Sequence, residues 1–130
     1  MGLVYLDACT IIYCVEKSYL YYPKLQAAVA AAVNNTLCIS PLVKAECLVL
    51  PIRLNNNALI GLYEDFFSSL TTLTIDETVF RQAASIRAQH GFKLPDALHL
   101  ACAIHHDCEA FWTNDLRLSN GAGPMIVTAF

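Results

Sequence analysis

Five short runs of apolar or β-branched residues alternate along the chain with longer segments that carry helical signals. Runs of this length, bounded by polar or turn residues, are typical of buried strands. Because strands that alternate with helices over short connections form βαβ units, we expect a three-layer α/β/α fold, with helices on both faces of a parallel sheet of about five strands. The runs are Leu3–Leu6, Leu37–Ser40, Thr71–Ile75, Ala110–Thr113 and Met125–Val127.

The segments between these runs predict six helices, and serine and proline mark where the third of them starts. Ser40 is placed to cap that helix, its first turn accepts Pro41, and Pro51 is expected to bend or end it. The chain has no internal repeat, low-complexity segment or linker, so residues 1–130 are predicted to form one domain. The predicted helices span residues 10–16, 18–35, 41–53, 59–69, 77–90 and 94–107.

The composition narrows the classes of protein that remain. Hydrophobic residues make up 56% of the chain and charged residues 15%, which argues against disorder and indicates either a sheet buried on both faces or an apolar surface used for association. The net charge of −3 argues against a protein that holds nucleic acid mainly by phosphate contacts, so any nucleic-acid role must rest on a local site.

Neither a membrane segment nor a disulfide framework is expected. No stretch approaches the length of a membrane span, and the N-terminus lacks the basic region of a signal peptide. Most of the cysteines lie inside apolar runs, where free cysteine acts as a small hydrophobic residue, so a reducing cytoplasm is the predicted location. The six cysteines are Cys9, Cys14, Cys38, Cys47, Cys102 and Cys108.

Four acidic residues occupy positions that a doubly wound sheet would bring to one rim. Asp7 ends the first run, Asp115 follows the fourth, Asp96 opens the last helix, and Glu46 lies in the helix after the second run. Each of them taken singly is more typical of a helix cap or of a solvated helix edge. Together, converging carboxylates raise one another's pKa and are stable only with a cation. Hard oxygen ligands select Mg²⁺ or Mn²⁺, which favour phosphate substrates.

These acids lie in segments that resemble the PIN domain, and especially the single-domain ribonuclease toxins of VapC type. The order and the spacing of the segments match over nearly the whole chain, and it is the ordered set that is specific. The matching segments are Leu6-Asp7-Ala8-Cys9, Ala45-Glu46 after Ser40-Pro41, Leu94-Pro95-Asp96-Ala97-Leu98-His99-Leu100-Ala101, and Thr113-Asn114-Asp115.

The resemblance implies a PIN-like sheet with Asp7 on a central strand and cleavage of RNA that depends on Mg²⁺ or Mn²⁺. The metal would position a water, lower its pKa and neutralise charge on the scissile phosphate. Thr113 matches the hydroxyl residue before the last acid and is expected to act just outside the metal ligands. By this resemblance the catalytic and metal-binding residues are Asp7, Glu46, Asp96 and Asp115, with Asp7 touching both ions if there are two.

Cys9 and His99 lie near the acids in the sequence. Many PIN domains carry Ser, Thr or Asn two residues after the first acid, where this chain has Cys9, and Thr10 is a candidate to replace the missing hydrogen bond. His99 lies three residues after Asp96 on the same helical face, where it could orient that acid or touch substrate, although a helix-edge histidine with no role is more common.

The predicted partners are RNA, a second copy of the chain and an antitoxin. The apolar excess motivates the homodimer, and the resemblance implies an antitoxin with a segment that wraps the toxin and obstructs its site. The cations that could frame a groove for phosphate, or simply be solvated, are Lys44, Arg53, Lys93 and Arg117.

Two other functions remain open beside the ribonuclease. One is a PIN-like binding module without activity, which the presence of all four acids argues against. The other is a phospho-aspartate hydrolase of the haloacid dehalogenase type. Such enzymes carry a second Asp two residues after the first, and Cys9 stands there in this chain.

Overall fold

A computed structural model, which describes residues 2–130, contains one parallel sheet of five strands. In chain order the strands are β1 (Leu3–Leu6), β2 (Thr36–Ile39), β3 (Thr71–Thr72), β4 (Ala110–Thr113) and β5 (Ile126–Ala129). Their order across the sheet is β3-β2-β1-β4-β5, so β1 is central and β5 is an edge strand. The predicted three-layer α/β/α class, with helices on both faces of this sheet, is confirmed.

Within residues 2–130, six α-helices and one 3-10 helix connect the strands. They are α1 (Ala8–Val15), α2 (Tyr22–Ala31), α3 (Pro41–Arg53), α4 (Asn57–Ser68), α5 (Glu77–His90), α6 (Leu94–His105) and the 3-10 helix (Leu116–Gly121). The α1 helix packs with α2, α3 and α4, whereas α5 packs mainly on α6. None of the helices within residues 2–130 has the length and apolar character needed to cross a bilayer.

Some boundaries match the sequence prediction and others differ. The α3 helix spans Pro41–Arg53 as predicted, with Pro51 buried in its last turn. The α4 helix starts two residues early because the side chain of Asn56 accepts a hydrogen bond from the amide of Leu59 at 3.1 Å. The second predicted helix is shorter, at Tyr22–Ala31, and β3 is reduced to two residues.

The core lies between the sheet and the helices that cover it. Val4, Tyr5 and Leu6 are consecutive in β1 and all buried, as expected for a central strand that is covered on both faces. The α6 helix is buried over seven consecutive residues, 97–103, so it belongs to the core rather than to the surface. All six cysteines are free thiols.

The parallel pairing brings the carboxyl ends of three strands to one edge of the sheet. Leu6 is in register with Trp112, and the amide of Asp7 donates to the Trp112 carbonyl at 2.9 Å. Asp7 therefore leaves β1 beside the end of β4, and Ser40 leaves β2 on the other side of β1. Ligand sites of parallel sheets collect at this edge.

Candidate metal centre

Asp7 is held at the N-terminus of α1 by contacts to both carboxylate oxygens. Its Oδ1 accepts a hydrogen bond from the amide of Ala8 at 2.7 Å, and its Oδ2 accepts one from the hydroxyl of Thr113 at 2.9 Å. Its backbone carbonyl accepts from the hydroxyl of Thr10 at 2.7 Å. The side chain is partly buried, so its orientation is fixed while one side stays open to solvent.

Glu46 approaches Asp7 from α3, which packs on α1. Ser40 caps α3, and its hydroxyl accepts from the amide of Val43 at 3.4 Å. Glu46 lies on the next turn, with its side chain 36% exposed. The thiol of the neighbouring Cys47 points to the carbonyl of Ala8, at 3.8 Å, which joins α3 to the first turn of α1.

His99 links the two acids from the buried side. Its Nε2 lies 2.5 Å from Oε1 of Glu46 and 3.6 Å from Oδ1 of Asp7, and the imidazole is 1% exposed. The three side chains offer ligand atoms that all lie within 4.8 Å of one another. The spacing in the sequence relates His99 to Asp96, yet its Nε2 contacts Glu46 on α3.

Asp96 lies in the first turn of α6, beside this cluster but outside the group of three. Partial burial raises the pKa of its carboxyl most, and the negative charge of Asp7 raises it further. His99 lowers it, Asp115 raises it by a smaller amount, and Arg117 lowers it slightly. Asp7 and Asp115 therefore lie close enough to Asp96 for their charges to affect its pKa.

Asp115 caps the 3-10 helix and is paired with Arg117. Its Oδ1 accepts from the backbone amide of Arg117 at 3.1 Å and from the guanidinium Nε at 2.9 Å. These hydrogen bonds hold the pKa of the Asp115 carboxyl below its usual value. The acid is therefore already neutralised by a cation of the chain itself.

Thr113 connects the acids of β1 and of the 3-10 helix. Its hydroxyl donates to Oδ2 of Asp7 and accepts from the amide of Asp115 at 3.2 Å. Cys9 lies next to Thr113 and Asn114, and burial together with the charge of Asp7 raises the pKa of its thiol to about 12. The thiol thus stays protonated at neutral pH. Thr10 steadies the backbone of Asp7 rather than its carboxylate.

The four cations considered for phosphate binding are placed differently from one another. The ammonium of Lys44 lies 6.0 Å from the centroid of the Phe67 ring, on the α4 side of α3. Arg53 is exposed at the C-terminus of α3, and Lys93 is exposed just before α6. Within residues 2–130, Arg117 is the member of this set that forms a salt bridge with a predicted site acid.

The side chains that meet at this edge of the sheet are suitable ligands for a divalent cation. Two carboxylates and an imidazole already meet. Burial and the charge of Asp7 raise the pKa of a third carboxylate, that of Asp96, and a cation would relieve the repulsion between these acids. This cluster is separate from the apolar groove of about 910 Å³ that lies between α2, β2 and α4. Leu25, Val29 and Phe66 line that groove, and none of the four acids does.

Comparison with known proteins gives a family and a fold. The family model for the PIN domain matches residues 4–124. No curated protein sequence matches the chain. Proteins of known structure, in contrast, share the fold over nearly its whole length.

Three of these structures come from bacterial toxin systems. A DNA-bound VapBC from Salmonella typhimurium has a TM-score of 0.79 at 18% identity, and covers 99% of this chain and 98% of its own. A toxin–antitoxin complex from Klebsiella pneumoniae has a TM-score of 0.76 at 19% identity, with 97% and 96% covered. VapC20 from Mycobacterium tuberculosis, described as a sarcin-ricin loop cleaving toxin, has a TM-score of 0.76 at 14% identity, with 92% and 95% covered.

Proposed function

Because this chain belongs to the PIN-domain family, we propose that it is an endoribonuclease that depends on Mg²⁺ or Mn²⁺ and serves as the toxin of a type II toxin–antitoxin pair. Proteins of this family are nucleases. The observation that carries the proposal is the meeting of Asp7, Glu46 and His99 at the carboxyl edge of the sheet, with ligand atoms within 4.8 Å of one another.

In this proposal Asp7, Glu46, Asp96 and Asp115 hold the metal. A bound Mg²⁺ or Mn²⁺ would supply a water of lowered pKa and would neutralise charge on the scissile phosphate. The chain's own part is to hold the acids in place: Thr113 fixes the carboxylate of Asp7 and the backbone of Asp115 at the same time. Arg117, 72% exposed beside Asp115, is the cation best placed to meet a phosphate of the substrate.

The proposed partners follow from two apolar surfaces. Exposed Val49, Leu50 and Ile52 on α3, followed by Leu54, favour association with a second copy of the chain. The apolar groove lined by α2 and α4 is the surface that we assign to a segment of the antitoxin, since structures that share this fold were solved as toxin–antitoxin complexes. In this proposal residues 1–130 form one nuclease domain that acts in the cytoplasm.

The proposal is tested with purified protein and structured RNA. We expect cleavage in Mn²⁺ or Mg²⁺ that EDTA abolishes. Asp96→Asn should reduce cleavage by about 100-fold or more, because the substitution removes a charged metal ligand from the site. The matched control is Asp65→Asn, at an exposed position of α4 outside the cluster, which should cleave like the wild type.

The ribonuclease assignment fails if the folded wild type cleaves no RNA in the presence of either ion. It also fails if Asp96→Asn and Asp65→Asn retain the same activity, since cleavage would then come from a contaminant or from another site.

A further inference from the structure

A chain of buried hydrogen bonds runs from the start of α3 to Glu46. The hydroxyl of Ser40 lies 2.8 Å from that of Tyr5, and the hydroxyl of Tyr5 lies 2.7 Å from Nδ1 of His99. The other ring nitrogen of His99 contacts Glu46 at 2.5 Å. Ser40, Tyr5 and His99 are each at most 1% exposed, so water does not compete for these hydrogen bonds.

The hydrogen-bond capacities of the groups give the chain a direction. One lone pair of Ser40 already accepts from the Val43 amide in the helix cap, and its single proton has Tyr5 as its acceptor. Burial raises the pKa of Tyr5 well above its usual value, so the phenol keeps its proton. If Ser40 donates to Tyr5, that proton goes to Nδ1 of His99, and His99 donates from Nε2 to the carboxylate of Glu46.

The opposite direction leaves two groups unsatisfied. If Nδ1 of His99 carried the ring proton, Tyr5 would donate to Ser40, and the Ser40 proton would find no acceptor within residues 2–130. The lone pair of Nε2 would then face an oxygen of Glu46 at 2.5 Å, acceptor against acceptor. A buried donor without a partner and a close contact between two acceptors both cost free energy.

The residues of this hydrogen-bond chain lie on rigid elements of the fold. Tyr5 lies on the central strand and stacks on Phe111 at 5.2 Å with an interplanar angle of 9°, which fixes the position of its hydroxyl. Ser40 caps α3 and Glu46 lies on α3. The hydrogen bonds therefore connect the cap of α3, through Tyr5 of β1 and His99 of α6, to Glu46 on the same helix. The hydrogen-bond chain can therefore set the direction in which the Glu46 side chain points.

We propose that the Ser40–Tyr5–His99 chain fixes the His99 imidazole with its proton on Nε2, so that His99 is a positioning residue for Glu46 and not a ligand of the metal. The inference rests on the metal site of the proposed function. Its consequence is a site of oxygen ligands only, which suits Mg²⁺, although the closeness of His99 to Asp7 and Glu46 would otherwise suggest an imidazole ligand of the kind that softer metals prefer.

The first test is nitrogen-15 NMR of the histidine side chains in the wild-type protein at neutral pH, without metal or RNA. We expect the His99 signals, assigned by their loss in His99→Gln, to show a protonated Nε2 and an Nδ1 that accepts a hydrogen bond. The same pattern should persist after Mg²⁺ is added. A proton on Nδ1, or loss of the Nε2 proton when Mg²⁺ binds, overturns the proposal.

The second test compares two buried tyrosines. Tyr5→Phe removes the hydroxyl that connects Ser40 to His99, whereas Tyr63→Phe removes a hydroxyl that donates to Glu16, outside the cluster. Calorimetric titration with Mn²⁺ should show about 10-fold weaker binding for Tyr5→Phe, the loss typical of a residue that supports a metal ligand, and unchanged binding for Tyr63→Phe. Equal affinities in the two variants contradict the proposal.

The two tests separate this inference from the proposed function. Neither of them measures RNA cleavage, so a protein that binds Mn²⁺ and shows the expected tautomer but cuts no RNA would retain the inference and lose the ribonuclease. The NMR measurement does not depend on Tyr5→Phe, so it decides the question even if that variant fails to fold.

Discussion

The two sides of the candidate site are built in different ways. On one side Glu46 is held by His99, which is 1% exposed and supported by two further buried hydroxyls. On the other side Asp115 is held by Arg117, a side chain that is 72% exposed. The first arrangement is part of the core, whereas the second is a surface ion pair that solvent and salt can weaken.

This difference predicts which contacts a substrate can change. Moving His99 would disturb α6, which is buried over residues 97–103, so the geometry around Glu46 is fixed before anything binds. Arg117 can leave Asp115 at little cost and turn to an incoming phosphate. We therefore assign the positioning of acids to the buried side and adaptation to the substrate to the exposed side.

The largest effect expected from breaking a contact between the two sides comes from Thr113, the residue that joins them. Thr113→Val keeps the shape of the side chain but removes the hydrogen bond to Asp7 and the acceptor for the Asp115 amide. We expect Mn²⁺ binding, measured by calorimetry, to weaken by about 10-fold.

Thr10→Val is the matched control for Thr113→Val. Its buried hydroxyl bonds the backbone carbonyl of Asp7 and not the carboxylate, so it should lower the free energy of unfolding by about 1 kcal/mol and leave Mn²⁺ binding nearly unchanged. If the two variants lost metal affinity equally, the specific role of Thr113 would be wrong.

The same division explains how far sequence reasoning reaches. The apolar runs predicted the sheet because a central strand buried on both faces must be apolar throughout, and Asp7 was predicted at the rim because it follows such a run. The partner of His99 was not predictable in this way. Helical spacing relates His99 to Asp96 on its own helix, but the contact to Glu46 depends on how α3 and α6 meet across the sheet.

Tyr5 and Arg117 show two further limits. Tyr5 reads as one more apolar residue of β1, and the value of its hydroxyl appears only when β2 and α6 bring Ser40 and His99 beside it. Arg117 was identified as a possible phosphate ligand, but its pairing with Asp115 depends on the cap of a 3-10 helix that the sequence pattern did not predict.

A smaller effect is expected from the charge of Asp96 in the metal-free protein. Its carboxyl pKa is raised in the folded state, so the folded protein binds more protons than the unfolded chain, and stability falls as the pH rises from the usual carboxyl pKa through the raised one. Asp96→Asn removes this penalty.

Urea denaturation across pH measures the change directly. In EDTA at pH 7, Asp96→Asn should be more stable than the wild type by an amount that solvent screening keeps below about 1 kcal/mol, and the difference should vanish below about pH 4. Saturating Mn²⁺ should reverse the order, because only the wild type keeps the ligand. A variant less stable than the wild type in EDTA would contradict the raised pKa of the Asp96 carboxyl in the folded protein.

The smallest expected effect on the folded protein comes from breaking the exposed pair. Arg117→Gln should leave the melting temperature unchanged, as should the control Arg81→Gln, which breaks the exposed pair of Arg81 with Glu77 on α5.

The two variants should differ in RNA binding, measured with a catalytically silent Asp96→Asn background. Loss of one phosphate contact reduces the steepness of the salt dependence of log K by about 0.7 for single-stranded RNA. Arg117→Gln should show that reduction and Arg81→Gln should not. Identical salt dependence in the two would place the phosphate elsewhere, and the exposed side of the site would then have no part in holding the substrate.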